Sequence, residues 1–159
     1  MIKAHIFASA AVLITALSAC TTGAPTNQDG IDRALAAGAP QAFYPDFPEA
    51  LFLAHEEVCS RPGETVVRPN DREIRCEMLL PPEMTGGLIL QFGGTVEDLP
   101  KLVIAFVAQS ARSGGWVVTS DNYVRVPQRD GGIREVRLPN SDLQASTEEL
   151  FRRSGGRPL

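Results

Sequence analysis

No stretch of the chain approaches the roughly 20 consecutive apolar residues that a permanent membrane-spanning helix requires. The longest such run, Ile6 to Leu17, is about a dozen residues, which excludes a polytopic membrane architecture built from helices. Lys and Arg nowhere cluster, and the net charge is −4. The concentrated basic face that phosphate binding needs is therefore lacking, which argues against nucleic acid as a partner. Histidine is scarce, with 2 in the whole chain, so metal sites and base-assisted nucleophiles have few residues to draw on. No Gly-x-Ser-x-Gly elbow is present, and none of the Gly-Gly pairs at 86, 93, 114, 131 and 155 leads into the Lys-Ser/Thr of a phosphate loop. What the sequence does hold is 159 residues, 43 % of them hydrophobic and 21 % charged. That suits one globular core and no more.

The N-terminus differs from the rest. Lys3 opens a short charged start, the apolar run follows, and the segment ends Leu17-Ser18-Ala19-Cys20. A run of this length with small residues at its end is a removable signal, residues 1–19. Its last four residues resemble the lipobox of bacterial lipoproteins. The resemblance implies cleavage before Cys20, diacylglycerol on its sulfur and an acylated new N-terminus. Two or more acyl chains hold a protein at a membrane lastingly, where one would not. The first expected partner is therefore a membrane, through the lipid on Cys20. Thr21 stands where enteric lipoproteins retained in the inner membrane carry aspartate, so the same resemblance implies the outer membrane, facing the periplasm. Cleavage leaves 14 basic against 19 acidic residues and one histidine, His55. From Thr21 to about Gln41 the chain is small and polar, with a weak helical patch at Ile31 to Ala37. We expect a flexible tether over residues 20–41, spanning on the order of 25 Å as a coil.

Residues 42–159 form the expected folded domain, and their sequence suggests a duplication. Asp46-Phe47-Pro48 is echoed by Asp98-Leu99-Pro100, Arg61-Pro62-Gly63 by Arg112-Ser113-Gly114, and Pro82 with Gly86-Gly87 by Pro127 with Gly131-Gly132. Pseudo-repeats at about 46–94 and 96–139 would each read helix, strand, strand, strand. In the first, Asp46 caps a helix whose stripe is Phe47, Leu51, Ala54 and Val58. Glu64 to Arg68 then begins a strand, and Ile74, Cys76, Met78 and Leu80 alternate along a second. Leu88 to Phe92 is expected as the third. In the second copy Asp98 caps a helix through Leu102 to Ala111, ten residues without a charge. Strands are expected at Trp116 to Thr119, Tyr123 to Val126 and Ile133 to Leu138. A last helix falls at about 142–153. The result is an α+β domain of two layers, an antiparallel sheet of about six strands with its helices on one face. The order of elements resembles that of type III secretion chaperones, at the level of fold alone.

Few residues point to chemistry. Cys59 and Cys76 are the two thiols left after lipidation, and in an exported chain an even pair is most simply one disulfide. Cys59 ends the first helix, and Cys76 lies on the strand face that points toward it. On the chain-entropy model such a bridge is worth roughly 3 kcal/mol. His55-Glu56-Glu57-Val58-Cys59 is similar to the zinc-protease pattern His-Glu-x-x-His with cysteine in the last place. The mature chain has no second histidine to complete it, and the disulfide claims Cys59, so no metal site and no cofactor is expected. An interaction surface is expected from Arg112, Trp116, Tyr123 and Arg125, residue types that often dominate interfaces. The leading expectation is a non-enzymatic envelope lipoprotein that binds or supports another envelope protein. The alternative is a periplasmic domain that binds or hydrolyses a small molecule in a pocket near His55.

Overall fold

The structure is a computed structural model that describes residues 27–138 and 140–159. The signal segment, Cys20 and the start of the expected tether lie outside the described residues. Helix α1 (Asn27–Ala36) leads into β1 (Gln41–Tyr44), α2 (Glu49–Val58), β2 (Glu64–Asn70), β3 (Glu73–Leu79) and α3 (Pro82–Phe92). Then follow β4 (Lys101–Ser110), β5 (Trp116–Pro127), β6 (Ile133–Val136), α4 (Ser141–Arg153) and β7 (Arg157–Pro158). The seven strands make one antiparallel sheet in the order β2-β3-β4-β5-β1-β7, with β6 also on β5. This is the α+β domain expected. Among the described residues no helix is long and apolar enough to cross a membrane.

The sheet is built on β4 and β5, paired over ten residues from Lys101↔Arg125 to Ser110↔Trp116. Alternation sends Phe106 and Ala108 of β4, Ile74 of β3 and Val118 of β5 to one face. There they meet Leu51 and Phe52 of α2 and Phe151 of α4, all 2 % exposed or less. On the same face Leu88 of α3 packs on Val124 and Val126. Asn140 caps α4, its side chain accepting from the Leu143 N–H at 2.9 Å.

Several expectations need correction. The uncharged run Leu102 to Ala111 is not a helix; all of it but Ala111 lies in β4, a central strand buried on both faces and so apolar without alternation. Leu88 to Phe92 is not a strand but the last turns of α3, which starts with Pro82 in its first turn and ends at Gly93 in the left-handed region. The two expected strands from Trp116 to Val126 are one, with Asp121 in its middle. The halves thus run helix-strand-strand-helix and strand-strand-strand, and the expected αβββ duplication is absent from the element order. The chaperone resemblance rested on that order and goes with it. Asp46 does not cap α2, whose buried face is Leu51, Phe52 and His55, with Val58 outside. Finally, residues 27–41 are not tether. Ile31 and Ala34 of α1 are 2 % and 1 % exposed, and α1 packs on β5. It covers the face opposite α2, α3 and α4, so the helices do not all share one side.

Candidate functional site

Two regions stand apart from the ordinary core. The first is a cleft of about 310 Å³ between α2, β3, β4 and α4 from Leu143 to Leu150. Cys59 and Cys76 form one wall, their sulfurs 1.99 Å apart and their Cα atoms 5.7 Å apart. The bridge fastens the end of α2 to the centre of β3. Val58, Met78, Ile104, Phe106, Leu143 and Leu150 make the interior largely apolar, with Arg61 and Glu64 among the other lining residues. His55 also lines it and is 6 % exposed.

The chemistry open to His55 follows from its partners. Its Nε2 lies 3.2 Å from the Ile104 carbonyl oxygen, and its ring meets Phe106 edge-on at 4.8 Å. A carbonyl can only accept, so Nε2 carries the hydrogen and the neutral ring keeps its lone pair at Nδ1. Burial holds the imidazole below its usual pKa, against the smaller opposing pull of the Ile104 carbonyl. The ring is therefore neutral at pH 7. The ligating atoms of Cys59, Glu64 and Cys76 lie within 4.8 Å of one another. With the sulfurs bonded together only Glu64 remains as a ligand, and its carboxylate already accepts from the Arg61 N–H at 3.1 Å. One carboxylate does not make a zinc site.

The second region is a charged layer on the α1 face of the sheet, around a smaller cavity of about 100 Å³. Arg137 grips Asp121 with two hydrogen bonds, Nε to Oδ1 at 2.8 Å and Nη2 to Oδ2 at 2.6 Å, and also reaches Glu135 at 3.1 Å. Its guanidinium lies 5.1 Å over the Tyr123 ring. Beside these, Glu73 accepts from Arg75 at 2.5 Å. Burial pushes the Asp121 carboxyl up although Arg137 pulls it down, and pushes the Tyr123 phenol up to about 12. Arg33 of α1 adds a bond to Glu135 at 3.2 Å. The layer is a closed set of pairs, suited to seating α1.

The expected interaction surface is divided. Arg112 is exposed on the β4–β5 hairpin. Trp116 lies on the α2 face, against Phe47 and Arg72. Tyr123 is buried on the opposite face, and Arg125 pairs with Asp98 at 3.3 Å. Arg112 and Trp116 share one end of the sheet, and the other two residues are elsewhere. The sequence reading missed the charged layer. Its signal in the sequence is the alternation Glu73, Arg75, Glu77 together with Asp121, Tyr123, Arg125, which shows only once Trp116 to Pro127 is one strand. Comparison with protein-family models, with curated proteins and with solved structures finds no match.

Proposed function

We propose that the protein is a lipid-anchored binding protein of the bacterial envelope, held through Cys20 in the outer membrane with its domain in the periplasm. The lipobox resemblance at Leu17 to Cys20 supports the anchor, and the paired Cys59 and Cys76 suit an oxidising compartment. The binding role rests on one observation, the apolar cleft between α2 and α4. A concave apolar site with few polar groups takes up an apolar group rather than carrying out polar chemistry. The occupant is an apolar side chain of another envelope protein. The test of the anchor is the mass of the protein extracted from membranes. It should begin at Cys20 and carry acyl chains, and a Cys20→Ala chain should remain uncleaved; a lipid-free mature chain would refute the anchor. For the cleft, Ser146→Trp fills it from the exposed side of α4. Crosslinking on intact cells should lose a partner in this variant, and an unchanged crosslink pattern refutes the cleft as the binding site.

The apolar lining beside His55 also supports the binding half of the second reading, a small apolar ligand. Native mass spectrometry distinguishes the two. A small co-purifying mass that Ser146→Trp displaces would favour the ligand over the protein partner.

A further inference from the structure

The corrected extent of the tether fixes more than a boundary. If residues up to 41 were coil, the domain could tumble freely above its anchor. Because α1 begins at Asn27 and is seated through Ile31 and Ala34, only six residues, 21–26, separate Cys20 from a helix fixed to the domain. Seven peptide steps reach at most about 25 Å when fully extended. The point from which the chain leaves α1 must therefore stay close to the lipid.

That point is defined. α1 begins beside the C-terminal end of β4, where Gln109 Nε2 donates to Gln28 Oε1 at 2.9 Å. The same end of the sheet carries the β4–β5 hairpin tip with exposed Arg112 and the β2–β3 turn with exposed Arg72. The turn is joined to β4 by the Ala108 N–H donating to the Arg72 carbonyl at 2.8 Å. Trp116 opens β5 there, its ring 5.1 Å from Phe47 and 5.4 Å below the Arg72 guanidinium. Phe47 is 36 % exposed. Aromatic rings with arginines beside them are the side chains that settle at headgroup level, apolar body inward and polar part in water.

We propose that the end of the sheet bearing Phe47, Arg72, Arg112 and Trp116 rests on the lipid headgroups of the membrane that holds Cys20. The inference rests on the lipid-anchor reading and goes beyond it by fixing the domain's orientation. One consequence concerns the cleft. α2 starts next to Phe47 and runs away from that end to Cys59, while the last turn of α4 returns to it, Ser154 bonding the Tyr44 hydroxyl at 2.8 Å. The cleft, lined by the far end of α2 and by α4 from Leu143 to Leu150, opens along the side of the sheet beyond that end and is left free for a periplasmic partner.

Trp116 is the only tryptophan and reports directly. The full lipoprotein is placed in vesicles containing headgroup-spin-labelled phospholipid, and its flotation and tryptophan emission are measured. We expect flotation, with Trp116 emission falling by about half relative to unlabelled vesicles, as for a ring at headgroup level. A second chain, Trp116→Phe with Arg129→Trp, carries the fluorophore on the β5–β6 turn at the opposite end and should lose little emission. Arg72→Glu with Arg112→Glu should weaken the Trp116 quenching and leave flotation unchanged. Flotation with equal quenching at both ends, or with none at Trp116, overturns the orientation and leaves the anchor standing. A chain that does not float overturns both.

Discussion

At the scale of single residues, two positions carry constraints that nothing in their local sequence announces. Gly115 follows the β4–β5 turn at φ +78°. A Cβ there would stand 2.6 Å from the Tyr44 carbonyl oxygen and 2.7 Å from the Phe43 ring. Backbone strain and the clash act together, because β1 is held in register with β5 by Tyr44↔Trp116 and cannot retreat. We expect Gly115→Ala to lower stability by about 2–4 kcal/mol in urea unfolding, whereas Gly114→Ala, with open space around it, should lose only the strain contribution. His55 is the second position. Its folded-state pKa lies below the ordinary 6.5 because it is buried, so the unfolded chain takes up a proton first as pH falls. Its contribution to stability is complete above the unfolded pKa and is lost as pH falls below it, at no more than about 1.4 kcal/mol per pH unit. Unfolding midpoints at pH 7.5 and pH 5 should therefore separate further for the natural chain than for His55→Gln. Equal separations would show that the ring does not titrate against folding.

At the scale of elements, what was legible was what alternates. β3 was readable because Ile74, Cys76 and Met78 face the helices while Arg75 and Glu77 face the other way, and α4 was readable from its amphipathic pattern, although its Asn140 cap was not. The Cys59–Cys76 pair followed from the exported context and from placing Cys59 at the end of α2 beside the inward face of β3. β4 was misread because a strand buried on both faces and a buried helix show the same uninterrupted apolar run; the β-branched residues Val103, Ile104 and Val107 were the available evidence for a strand. The error in α3 came from Gly86-Gly87, which looks like a turn and lies inside the helix. Neither glycine has a positive φ, and a Cβ at either would meet nothing within 4 Å. They weaken α3 by backbone entropy alone. Replacing each with alanine should therefore raise stability by about 0.5–1 kcal/mol, together a rise of several degrees in melting temperature. A loss on substitution would mean that these residues do form a turn.

At the scale of the whole molecule, the sheet has one dry face and one charged face, and only the dry face was foreseeable from hydrophobic pattern. α2, α3 and α4 bury their apolar stripes on the first. α1 covers the second with few large side chains, since its sequence gives it only Ile31 and Leu35 beyond alanine, and Leu35 is exposed. Charge pairing and apolar burial both act to hold α1 in place, and their magnitudes can be compared. The Arg33–Glu135 pair spans 3.2 Å, but its side chains are 52 % and 26 % exposed, and such pairs contribute at most about 1 kcal/mol. Ile31 is 2 % exposed, and its truncation removes buried carbons worth about 2–4 kcal/mol. Burial should thus decide the docking. We expect Arg33→Ala to change unfolding stability by no more than about 0.5 kcal/mol and to respond little to added salt. Ile31→Ala should cost several times more and should speed hydrogen exchange at the α1 amides before the β4 and β5 amides respond. The reverse ranking would make the charged layer the fastening, and acid or high salt would then release α1 from the sheet.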